Sequence, residues 1–173
     1  MKTDKSYLIE VLKGRYEYEQ FRRNNYDNII SLPITLLALL IGGMAAIVMH
    51  GTLTDYLVRY SILIAMIPAG ISTYYLVRVY YGSNRNYDVL PEAKSIREHY
   101  EELTKYHEKL SDSSDQVHLS FQEDLINWYC ECSKINGIVN DQRMEYFHKS
   151  KMWLIVSIVL IFVLLCIKVI FNL

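Results

Sequence analysis

The side chains able to do chemistry are few and poorly grouped. Cys130 and Cys132 form a C-x-C pair, but two positions apart on a helix means directions about 200° apart. The two thiols therefore cannot share a metal ion, and in a reducing compartment free thiols are expected rather than a disulfide. His99, His107, His118 and His148 are scattered along the chain, whereas a zinc site needs pairs of ligands at fixed spacing. His50 sits at the outer end of the first apolar run, where a solvated residue is the default, and Cys166 lies within the last run. Glu98, Glu101, Glu102 and Glu108 interleave with Arg97, Lys105 and Lys109, which reads as a solvated helix face with ion pairs. There is no Gly-rich phosphate loop, no G-x-S-x-G and no Cys/His nucleophile arrangement. No cofactor, no metal and no enzymatic activity are expected.

The elements around these residues explain the scarcity. Lys plus Arg total 18, Asp plus Glu 19, and the net charge of −1 offers none of the clustered basic excess of a nucleic-acid binder. A mean hydropathy of +0.07 looks ordinary, yet it averages three almost wholly apolar stretches with a highly charged remainder. Ile29 to Met49 is 21 residues without a charge, enough to cross a hydrocarbon layer of about 30 Å. Tyr60 to Val77 gives 18 uncharged residues between Arg59 and Arg78. Met152 to Ile167 gives 16, and a Lys168 that snorkels outward lets Val169 to Phe171 complete the span. The first run follows a charged helix and is too long for a signal-peptide core.

Orientation follows from the basic residues. Six Lys/Arg lie in residues 1–28, none between His50 and Tyr56, and ten between Arg78 and Lys151. The positive-inside bias then puts the N-terminus and the long middle segment inside, with the 50–56 turn and the C-terminus outside. Of the 15 tyrosines, Tyr26, Tyr74, Tyr75, Tyr80 and Tyr81 are expected at the inner interface with Trp153, and Tyr56 and Tyr60 at the outer one.

Small residues recur at four-residue spacing in the first two spans: Ala38, Gly42 and Ala46, then Ala65, Ala69 and Thr73. Such stripes let helices approach closely in lipid, where packing replaces the hydrophobic drive. They predict either an antiparallel hairpin of these two spans or an interface between copies. Pro68 removes a backbone donor and is a candidate hinge. No ionisable residue sits at the centre of a span, which argues against a proton relay or an ion-coupled transporter.

The charged segments read as helical. Residues 1–28 carry Tyr7, Leu8, Val11, Leu12, Tyr18 and Phe21 on one side, weakened by Gly14. A further helix starts near Pro91 and Glu92, with Ile96, Leu103 and Leu110 every seventh residue. Ser111 to Gln116 reads as a turn. Phe121, Leu125, Trp128, Cys132, Ile135 and Val139 then alternate four and three apart, with Gln142 and Tyr146 in register. Nothing but Gly137 interrupts this helix before the last span, so one helix over about 118–171 is expected. The predicted organisation is an all-α membrane protein: a cytosolic amphipathic helix at 1–28, a two-span hairpin at 29–81, a cytosolic helical hairpin or bundle at 82–151, and a third transmembrane helix at 152–173. The cytosolic part is too small to bury much core alone, which favours a homo-oligomer.

Two resemblances bear on function. Arg143-Met-Glu-Tyr-Phe-His148 has the R-x4-H spacing of the HEPN ribonucleases, which implies a catalytic pair at Arg143 and His148. That family usually has a small polar residue after the arginine, where Met144 stands here. The competing reading is a basic flank of a membrane span. The layout as a whole, and the run Trp128 to Arg143 leading into the last span, resembles the small transmembrane effectors of bacterial anti-phage systems, namely the SLATT group and cyclic-nucleotide-associated membrane effectors. This resemblance implies a multi-pass protein of the bacterial inner membrane, held silent until a cytosolic sensor or second messenger triggers oligomerisation and membrane disruption. The alternative is a membrane anchor or regulatory subunit for a cytosolic enzyme of the same operon. In either case the partners are the lipid bilayer and protein, with no direct contact to nucleic acid.

Overall fold

Pro33 sets the first boundary. It has no N–H, and in a continuing helix its ring would collide with the carbonyl four residues back. Helix α1 accordingly ends at Ile29 and α2 begins at Ser31 in the computed structural model, which describes residues 5–50, 56–81, 86–110 and 114–171. The Ser31 hydroxyl donates to the Asn28 carbonyl at 2.9 Å, taking up one of the acceptors that every helix end leaves open.

The elements are α1 (Ser6–Ile29), α2 (Ser31–His50), α3 (Tyr56–Tyr81), α4 (Ala93–Lys109) and α5 (Ser114–Phe171). Among the described residues there is no strand. Three stretches, Ser6–Ala46, Ile62–Tyr81 and Ser114–Leu164, contain helix long and apolar enough to cross a membrane. The expected outer turn at 51–55, the link at 82–85 and residues 111–113 of the expected turn lie outside the described residues, as do the side chains of His50, Tyr56, Lys168 and Val169.

Two details differ from the sequence expectation. The helix read from Pro91 starts at Ala93, with Glu92 as its extended N-cap residue. The segment read as a turn through Gln116 is already helical from Ser114, because Asp115 in the first turn complements the helix dipole. Pro68 lies inside α3, as it does in the span read over Tyr60 to Val77.

Two compact units divide the chain: Met1–Arg23 with Asn86–Asn140, and Asn24–Arg85 with Asp141–Leu173. The second unit has an apolar core drawn from three helices and the residue that joins α1 to α2. Ile30, Leu37 and Met44 meet Ile62, Ala65, Ala69, Leu76 and Val79 of α3, and Phe147 and Leu154 of α5. In the first unit the buried positions are mostly polar: Glu19, His107, Ser133, Asn136 and Asn140, with Val117, Cys132 and Val139.

Candidate functional site

One face of α5 organises both units. Ser133, Asn136, Asn140, Arg143, Phe147, Ser150, Leu154 and Ser157 alternate three and four apart, and all are buried. Of the expected apolar stripe, Cys132 and Val139 are buried, and Phe121, Leu125, Trp128, Ile135, Gln142 and Tyr146 are half-buried. The fully buried face carries mainly polar side chains.

In the first unit, Asn136 grips the backbone of Asp88 twice, accepting from its N–H at 2.8 Å and donating to its carbonyl at 2.9 Å. Asn140 accepts from the Tyr87 hydroxyl at 2.8 Å and donates to the Glu19 carbonyl at 2.9 Å and carboxylate at 3.0 Å. Glu19 of α1 is 0 % exposed. Its charge is held by Arg15 at 2.8 Å and Arg22 at 3.0 Å. A buried carboxylate is tolerable only when paired in this way. Lys5 adds an ion pair with Glu123.

The α4–α5 pair in this unit rests on aromatic and histidine contacts. His99 meets Asp124 at 2.8 Å and the Trp128 ring at 5.3 Å, and Tyr100 packs edge-on against Phe121 at 5.1 Å. Of the residues expected to carry this packing, Val139 is buried, Ile96, Leu103, Leu125, Trp128 and Ile135 are half-buried, and Leu110 is exposed. Cys132 is buried and its thiol is pushed up to about 11, by burial first and then by Asp88. Cys130 is exposed. Among the described residues no three metal-ligating side chains come together.

In the second unit, Arg143 is 4 % exposed. It donates to Asp27 at 2.6 Å and to the Val79 carbonyl at 3.3 Å, over the ring of Tyr26 at 5.6 Å. Val79 lies in the last turn of α3, so the guanidinium caps one of that helix's open carbonyls. Tyr26 is buried beneath Arg143. His148 is exposed, and five positions on a helix separate the two directions by about 140°. The structure does not bring Arg143 and His148 together.

Ser150 and Ser157 of this face make interhelical hydrogen bonds. Ser72 donates to the Ser150 carbonyl at 2.8 Å while Ser150 donates to the Ser72 carbonyl at 3.0 Å. Ser157 donates to the Ala65 carbonyl at 3.0 Å. These contacts explain the fate of the second small-residue stripe: Ala65 and Ala69 are buried, and Ala65 meets α5 through Ser157. Thr73 is half-buried, its hydroxyl returned to the Ala69 carbonyl at 2.9 Å.

The first stripe is treated differently. Ala38, Gly42 and Ala46 are all exposed, and a Cβ built on Gly42 or Gly43 would meet no atom within 4 Å. The two stripes therefore do not form the seam between α2 and α3; Leu37 and Met44 do that. Only Ala38 and Thr73 share a space, an apolar groove of about 470 Å³ whose walls also include Ile34, Leu76 and Tyr80. The signal for this arrangement was the alternation of Ser133, Asn136, Asn140 and Arg143 in the sequence. Comparison with protein-family models, with curated proteins and with solved structures finds no match to this chain.

Proposed function

We propose that this chain is a non-enzymatic, multi-pass effector of a bacterial inner membrane that self-associates and, when triggered, permeabilises the bilayer in anti-phage defence. Its N-terminus and middle segment lie inside and its C-terminus outside. The observation that carries the self-association is the open face of α2, where Ala38, Gly42 and Ala46 are left uncovered. An uncovered small-residue face suits close approach of another helix in lipid. The defence role rests on the resemblance in layout.

The experiment is inducible expression with a membrane-potential dye, alone and under phage challenge, beside blue-native electrophoresis of the membrane fraction. Depolarisation together with a ladder of oligomers is the expected result. A monomer that co-purifies with a stoichiometric cytosolic enzyme and leaves the potential intact would overturn this reading in favour of a membrane anchor.

A further inference from the structure

Helix α1 presents two faces. Leu12, Tyr16 and Glu19 turn toward the first unit, where the Tyr16 ring lies 6.0 Å from that of Tyr129 and Glu19 is fully buried. On the other side Tyr7, Val11, Gly14, Tyr18 and Phe21 follow one another at steps of four, three, four and three. These are exposed: Tyr7 is 74 % and Phe21 66 % accessible, and Val11 and Tyr18 about half. Large apolar and aromatic side chains at this spacing form the seam of a two-stranded coiled coil.

We propose that this outer stripe of α1 pairs with the same stripe of a second copy of the chain, parallel and in register. Charge selects both the occupant and the direction. Glu10 and Glu17 flank the stripe on one side, Arg15 and Arg22 on the other. In a parallel pair each residue of the first flank meets the second-flank residue five positions later in the other copy. Glu10 then faces Arg15 of the other copy, and Glu17 faces Arg22. An antiparallel pair would set glutamate against glutamate and arginine against arginine. Each arginine holds the buried Glu19 through one terminal nitrogen and leans over the seam, with Arg15 and Arg22 at 5.3 Å and 5.9 Å from the Tyr18 ring centre. Gly14 offers an open position where a Cβ would meet nothing within 4 Å. An anionic lipid surface is the poorer occupant, because Glu10 and Glu17 would face its headgroups.

This inference deepens the self-association read from α2 and rests on that reading. The test uses the full chain in native membranes, with Cys130, Cys132 and Cys166 replaced by serine and one new cysteine at a time. Tyr18→Cys should form a disulfide-linked dimer on mild oxidation, since seam positions meet their own counterparts in a parallel register. Lys13→Cys, exposed on the flank away from the seam, should not. Adding Glu17→Lys to Tyr18→Cys sets like charges across the pair and should lower the dimer fraction about fivefold. All of these positions are exposed, and circular dichroism checks that helix content is retained. If Tyr18→Cys does not cross-link while Gly42→Cys does, the α1 seam is wrong and self-association stands. If neither cross-links, both fall. If Tyr18→Cys stays monomeric, and is shielded from aqueous maleimide until detergent is added, α1 lies on lipid and the seam is overturned.

Discussion

Arg143 of α5 and Asp27 of α1 are 116 positions apart in the chain and 2.6 Å apart in space. The same guanidinium reaches the Val79 carbonyl in the last turn of α3. One side chain thus connects three helices of the second unit, and its chemistry is spent on charge pairing and helix capping.

Removing that guanidinium takes one ion pair from Asp27 and uncaps the Val79 carbonyl. Arg143→Met should lower stability by about 2–3 kcal/mol, a little below the usual cost of breaking a buried pair because Asp27 is partly exposed. His148→Ala should change stability by less than about 0.5 kcal/mol. Thermal unfolding in detergent distinguishes the two. An RNA-cleavage assay on the double alanine variant addresses the ribonuclease reading.

Glu19 and Asn140 form a second coupled pair, in the first unit. Glu19→Leu should cost about 2–4 kcal/mol, because Asn140 and the arginines lose a buried acceptor. Glu19→Leu with Asn140→Leu should cost less than the sum of the two single changes, since partners within one network do not add. Additive values from a double-mutant cycle would mean that the two residues act independently.

Cys132 makes a pH prediction. Its thiol is raised from 9.0 to about 11 by burial and by Asp88, so the folded state holds the neutral form more tightly than the unfolded chain does. The stabilisation is complete below pH 9 and is lost as pH rises toward 11. Maleimide labelling of Cys132 should therefore be slow at pH 8 and quicken about tenfold per pH unit above it. Cys132→Ser should remove this slow component of the labelling, identified by peptide mapping of the labelled site.

The reciprocal bonds of Ser72 and Ser150 predict a modest effect of a different kind. Ser72→Ala should destabilise by about 0.6–2 kcal/mol, the range for interhelical hydrogen bonds in membranes. Gly42→Leu, at a position where a Cβ would meet nothing within 4 Å, should leave unfolding unchanged and shift blue-native migration toward the monomer. Unchanged migration would remove α2 from the assembly interface.

The helices themselves were largely legible before the structure. Long apolar runs and 3–4 periodicity suffice to place α2, α3 and α5, because helix formation and hydrophobic length are local properties. The one-residue break at Ile30 was not read beforehand, although Pro33 is the residue that imposes it. The stripe on α1 was read as one face, whereas Leu12 turns inward and Tyr7, Tyr18 and Phe21 outward. Which of two neighbouring faces is buried depends on what packs against it, and periodicity carries no such information.

What the sequence by itself determined is the set of helices and the three stretches able to cross a membrane, since both follow from backbone chemistry and from the length of uncharged chain. Tertiary structure alone decided what the polar residues of α5 do. Asn136 and Asn140 had no assigned role and Arg143 was read as half of a catalytic pair or as a basic flank, and the three became buried bonds to Asp88, Glu19 and Asp27. It also decided that Ala65 and Ala69 are covered while Ala38, Gly42 and Ala46 stay open. The physical reason is the same in each case. A hydrogen bond or a close helix approach needs a partner far away in sequence, and only the folded chain brings that partner within reach.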